Sequence, residues 1–197
     1  MAKLDFWYSI GSTYSYLTVM RMGDYARDNG LDVTWRPFDV RHIMVAQNNI
    51  PFRDKPVKTA YMWRDMARRA EMYGLPIRVP APYPLPNLPL ANRVALLGMT
   101  EGWGMAYTVD TYRRWFQDGQ EAGSEPNLSD SLRAVGQDPA TVLARAQGKE
   151  IGDALARETA TAQARGVFGS PSFVVGDEVF WGDDRLDDAA DWARSNG

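Results

Sequence analysis

Ser12 is the residue around which chemistry is most readily built. It sits in Gly11-Ser12-Thr13, between an apolar run from Leu4 to Ile10 and a segment in which Tyr16, Val19, Met20, Gly23 and Ala26 recur at helical spacing. The run is rich in aromatic and aliphatic residues, as a buried strand requires, and Gly11 permits a tight or unusual backbone before the turn. A hydroxyl at that junction faces the free N–H groups and positive dipole end of a helix, a place that stabilises an anion, a thiolate included. A serine there is also a good N-cap, and the local residues leave both roles open.

The rest of the composition narrows the choice. The chain contains no cysteine and a single histidine, His42. Disulfides, thiolate metal sites, cysteine nucleophiles and dithiol redox motifs are thereby excluded, as are multi-histidine metal centres, and no metal is expected. A Ser-His-Asp hydrolase is a poor fit for the same reason. Any thiol used in the chemistry must be brought by a cofactor. A net charge of -3 argues against nucleic acid or an anionic membrane surface as partner. The chain opens with no basic segment followed by an apolar run, and it holds no apolar stretch of spanning length, so a cytoplasmic location is expected.

The elements that must position Ser12 follow in order. Asn29-Gly30 stops the first helix, and Leu31 to Arg36 alternates as a second strand, so strand, helix and strand form a βαβ unit with parallel strands. A helix is expected over Val57 to Tyr73, ended by Gly74 and Pro76. The stretch from Pro76 to Pro89 holds six of the twelve prolines and reads as a stiff extended segment packed against the body, either walling a cleft or simply connecting. Helical spacing resumes over Leu90 to Met99, Met105 to Phe116, Asn127 to Val135, after the Asp138-Pro139 start signal, and over Glu150 to Arg165. Ser172 to Val175 and Glu178 to Trp181 flank Gly176-Asp177 as a hairpin, and a last helix covers Asp184 to Trp192. The order βαβ, helical block, ββα describes an α/β protein with a thioredoxin-like fold: residues 1–39 and 166–197 form a discontinuous thioredoxin-like domain, and 40–165 an all-helical insertion.

Five separated motifs then resemble the 2-hydroxychromene-2-carboxylate isomerases, relatives of kappa-class glutathione transferases and of the DsbA oxidoreductases. The opening from Asp5 to Leu17 is similar to D-F-x-x-D-x-x-S-P-x-S-Y-L, with Ser9 and Thr13 as departures, and implies that Ser12 is the active-site serine. Asn48 to Pro51 with Pro56 to Arg68 resembles N-x-P…P-x-K-x-x-Y-x-x-x-D-x-x-R and implies Asn49 and Lys58 as glutathione-binding residues, with Asp65 and Arg68 read as a helical ion pair. Tyr83 to Arg93 resembles F-P-x-N-x-x-x-A-x-R with one extra residue, implying a substrate side formed by Tyr83, Asn87 and Arg93. Gly166 to Phe173 is similar to G-V-F-G-V-P-T-F, which implies a cis bond at Ser170-Pro171 and a Ser170 backbone offered to the thiol peptide. Phe180 to Leu186 resembles F-W-G-x-D-R-L and implies that Asp184, with Asp183 beside it, receives the ammonium of glutathione.

The resemblance implies a homodimeric, glutathione-dependent isomerase acting on a small aromatic substrate, in which the Ser12 hydroxyl lowers the pKa of the glutathione thiol from about 8.5. A kappa-like transferase and a non-catalytic ligand-binding module are the competing readings.

Overall fold

The computed structural model describes residues 1–52 and 54–196. Strand β1 (Ala2–Tyr8) lies inside a four-stranded sheet of order β2-β1-β3-β4. It runs parallel to β2 (Leu31–Pro37), with Phe6 opposite Trp35, and antiparallel to β3 (Ser172–Val175), with Phe6 opposite Phe173. Strand β4 (Glu178–Trp181) closes the hairpin. Its two-residue turn places Gly176 at φ 57°, a left-handed position that glycine occupies without penalty.

Side chains of a strand alternate between faces, and β1 is buried on both. Leu4, Phe6 and Tyr8 enter the main core, whereas Trp7 enters a smaller one with Phe38, Val174 and Val167. Helix α1 (Ser15–Asp28) and helix α9 (Leu186–Asn196) contribute Leu17, Val19, Leu186 and Ala190 to the main core. The smaller core is capped by α2 (Val40–Ala46) and α8 (Lys149–Ala164).

Between β2 and β3 the chain is helical apart from its loops: α2, α3 (Pro56–Met72), α4 (Leu88–Glu101), α5 (Gly104–Arg113), a π turn (Arg114–Asp118), α6 (Asn127–Ala134), α7 (Pro139–Gln147) and α8. Asp138 caps α7 by accepting from the Thr141 N–H at 2.8 Å. The proline-rich stretch is non-helical up to Leu88 and packs inward through Ala81 and Leu85, with the Trp115 indole donating to the Pro82 carbonyl at 2.8 Å. No helix among the described residues is long and apolar enough to cross a membrane.

Three elements differ from the sequence reading. Helix α2 carries only Val40 and Ile43 as buried residues, too few for a periodic signal. The last helix begins at Leu186, two residues late, because a 3-10 turn (Asp183–Arg185) precedes it. Helix α1 begins at Ser15, and this difference changes the role of Ser12.

Candidate functional site

The Ser12 turn is built by the chain's exit from β1. The Ser12 N–H donates to the Ser9 carbonyl at 3.0 Å, and Gly11 takes φ +133°. A Cβ at Gly11 would lie 1.6 Å from the Leu88 Cδ2 atom, so both the backbone angle and the close approach of α4 demand glycine. Tyr16 and Leu17 then donate to the Thr13 and Tyr14 carbonyls, a tight turn that delays the α-helix. Tyr14, not Ser12, holds the cap position, and its side chain makes no capping bond. The Ser12 hydroxyl is therefore free of a capping role and donates to the Ser170 carbonyl at 2.6 Å. Ser12 lies in the turn three residues before Ser15, the first residue of α1, and so near the positive end of that helix.

A buried polar network fixes this turn. Asn92 on α4 is fully buried; its Oδ1 accepts from the Ile10 N–H at 2.8 Å and its Nδ2 donates to the Ile10 and Leu88 carbonyls. The Tyr112 hydroxyl donates to the Ser9 carbonyl at 2.8 Å. Ser9 and Ser170, where the resembled motifs carry an acidic and an apolar residue, meet each other: the Ser9 N–H donates to the Ser170 Oγ at 2.8 Å, which also bonds the Ser15 hydroxyl at 2.8 Å. Paired in this way, the hydroxyls fill buried positions without an unsatisfied polar atom. Asn92 and Tyr112 escape sequence reasoning; the available signal was a lone amide on the apolar face of α4, beside Ala91 and Ala95.

Ser12 opens onto a cavity of about 340 Å³. Asn49, Lys58, Tyr83 and Ser170 share its lining with Ser12, and its walls include Phe52, Met62, Phe168 and Trp181. Phe168 and Trp181 pack at a ring separation of 4.9 Å and are both partly exposed at its rim. Tyr83 sits edge-on to Phe52 and Trp63. Burial pushes the Tyr83 hydroxyl above its usual pKa, with the Arg41 charge acting in the opposite sense.

A second, shallower groove of about 640 Å³ adjoins it, sharing Tyr14, Tyr61, Ser170 and Trp181, and is lined with charge: Asp65, Arg69, Asp184 and Arg185. Pro171 and Asp183 also line the groove, and the Ser170–Pro171 bond is cis. The two neighbouring aspartates differ. Asp183 is 1% exposed and accepts from Arg21 (3.0 Å), Arg69 (2.8 Å) and the Thr18 hydroxyl (2.9 Å). Asp184 is 51% exposed and pairs with Arg185 at 2.9 Å. Its carboxyl lies below its usual pKa: partial burial works to raise it, and the Arg185 hydrogen bond and charge outweigh that, aided by its own backbone N–H. Asp65 receives Tyr14 at 2.9 Å and Arg68 at 3.2 Å, the helical pair read from the sequence.

Asn87 and Arg93 are not brought to either surface. Asn87 is exposed and stands at the start of α4, with its backbone against Gly123. Arg93 lines a separate pocket with Asp39, His42 and Gly152. Adjacent helical residues point about 100° apart; Asn92 faces the Ser12 turn, so Arg93 is turned toward α8.

The family model for the DSBA-like thioredoxin domain matches residues 3–192. The 2-hydroxychromene-2-carboxylate isomerase of Sphingobium xenophagum is 30% identical over 187 residues, spanning 93% of this chain and 94% of the relative. That of Pseudomonas putida is 28% identical over 185 residues, spanning 93% and 90%. A solved 2-hydroxychromene-2-carboxylate isomerase superposes with a TM-score of 0.85 at 27% identity, covering 98% of this chain and 97% of the other. The cytosolic disulfide reductase DsbM of Pseudomonas aeruginosa, solved with GSH, shares the fold at a TM-score of 0.64 and 16% identity, covering 98% and 96%.

Proposed function

We infer the reaction from the premise that this chain belongs to the DsbA-like thioredoxin domain family and, within it, to the 2-hydroxychromene-2-carboxylate isomerase family. The proposal is that it interconverts 2-hydroxychromene-2-carboxylate and trans-o-hydroxybenzylidenepyruvate with glutathione as cofactor. The observation that carries it is the Ser12 hydroxyl, held 2.6 Å from the Ser170 carbonyl where an aromatic-walled cavity meets a charged groove, in a chain with no thiol of its own.

The residues present fit a tripeptide thiol. Asp184 offers an exposed carboxylate to an ammonium, Lys58 a cation to a carboxylate, and Asn49 an amide to the peptide backbone. The Ser170 carbonyl is a ready acceptor for a peptide N–H. Glutathione held there would supply a thiolate able to add reversibly to an electrophilic carbon, the chemistry by which a stiff double bond can turn as a single bond.

Ser12 has one proton to donate, and in this structure it goes to Ser170. The hydroxyl can rotate about its C–O bond, so that it would donate instead to a thiol sulfur held beside Ser12, while the Ser170 carbonyl accepts a peptide N–H. In that position it would act with the α1 N-terminus to favour the ionised thiol. Ser12 stabilises charge and does not attack, consistent with the distance of the single histidine, which lines a different pocket. Phe168 and Trp181 at the rim, with Tyr83 and Phe52 deeper in, offer ring faces and edges to an aromatic substrate.

The test is turnover of 2-hydroxychromene-2-carboxylate with and without glutathione. The expected result is isomerisation that needs glutathione, leaves its total concentration unchanged and drops by 10²-fold or more in Ser12→Ala, about the loss seen when a donor aimed at developing charge is removed. Full turnover without glutathione overturns the proposal, and consumption of glutathione assigns the site to a transferase.

A further inference from the structure

Two cations and no carboxylate line the apolar cavity. Lys58 is exposed, with its ammonium 5.6 Å from the centre of the Phe52 ring. Arg41, on α2, is half-buried and lies close enough to Tyr83 for its charge to act on that hydroxyl. Among the described residues neither Arg41 nor Lys58 has an acidic partner within 4 Å, whereas most other described arginines, among them Arg21, Arg36, Arg69 and Arg114, are paired. Desolvating a guanidinium without a counter-ion is unfavourable, and an anion that enters recovers the loss. The planar guanidinium can also bind a carboxylate by two parallel N–H···O bonds, which an ammonium cannot do.

The proposed reaction brings two carboxylate-bearing ligands to one cavity. Lys58, on the solvent side, suits the cofactor's flexible carboxylate. Arg41, half-buried, within charge reach of Tyr83 and lining the same cavity as Phe52, suits a carboxylate fixed to an aromatic frame. We propose that Arg41 binds the carboxylate of the aromatic substrate and selects ring systems that carry a carboxylate over neutral rings of the same shape, a specificity that rests on the isomerase reading above. A neutral ring of the same shape would fill the walls and leave the guanidinium without its anion.

Binding of 2-naphthoate and 2-naphthamide, followed by calorimetry in the full-length protein, tests this without requiring turnover. Both probes fill the aromatic walls and only one carries the charge. The wild type should prefer the carboxylate at least tenfold. Arg41→Met, which keeps the apolar stem, should bring the ratio near one, Arg41→Lys should restore part of it, and Lys58→Met should leave it in place. Glutathione affinity should be unchanged in Arg41→Met and weakened in Lys58→Met, and thermal melts confirm that each variant is folded. Equal binding of the two probes by the wild type, or a preference that survives Arg41→Met, overturns the inference. Absence of isomerisation would instead contradict the reading of the reaction while leaving this binding ratio to be judged by itself.

Discussion

At the scale of single residues, two adjacent aspartates in one motif do different work. Asp183 is buried beneath Arg21 and Arg69 and ties the turn before α9 to α1 and α3, while Asp184 faces the groove. Removing the Asp183 charge leaves two largely buried guanidiniums without an acid, which costs about 3 kcal/mol. Asp183→Asn should therefore lower the denaturation midpoint markedly, whereas Asp184→Asn should barely move it and should weaken glutathione binding instead; chemical denaturation and calorimetry separate the two effects. Equal stability loss in both variants would contradict this division. Neither the motif nor the charges distinguish these two positions in the sequence, because the burial that separates them comes from helices whose contacts lie 114 to 165 residues away in the chain.

At the scale of elements, α4 shows how one helix serves the site and the scaffold from different faces. Asn92 clamps the Ser12 turn and Arg93, the next residue, faces α8. The helix leans on α5, whose own end is secured by charge: Asp110 pairs with Arg113 at 2.9 Å and with Arg114 at 2.5 Å. The Asp110 carboxyl sits below its usual 3.8; burial raises it, and the Arg114 and Arg113 hydrogen bonds and charges more than offset that. A depressed folded-state pKa contributes stability that is complete above the unfolded value and fades as pH falls through the folded one. Asp110→Asn should accordingly lower Tm at pH 7, and the difference from wild type should shrink as the pH falls below 3.8 and through the depressed folded-state value. A difference independent of pH would show that the pair contributes through packing and not through ionisation.

At the scale of the whole molecule, the strands and their order were legible because β1, β2 and the β3–β4 hairpin carry their signals locally, in alternation and in the Gly176-Asp177 turn. Most helices were legible from spacing and caps, Asp138-Pro139 being the clearest. Helix α2 was not, since its buried residues are too few to set a period. The site was legible only in parts. Spacing placed Ser12 beside a helix start but left both a capping and an anion-stabilising role open, because the acceptor of its hydrogen bond, Ser170, lies 158 residues away. Resemblance drew Asn49, Lys58, Tyr83 and Ser170 toward Ser12, and the cavity contains them all; the same resemblance named Asn87 and Arg93, which helical geometry turns elsewhere. What brings the halves of the site together is the sheet, which sets the end of β1 beside the start of β3, with Trp7 opposite Ser172. On the proposed reaction, a protein without cysteine holds a borrowed thiol in its ionised form. The direct measurement is a pH titration of the thiolate absorbance of enzyme-bound glutathione near 240 nm. In the wild type the midpoint should fall at least one unit below the free value of about 8.5 and in Ser12→Ala return most of the way toward it; a midpoint that is unshifted in the wild type, or equally shifted in both proteins, would contradict the account.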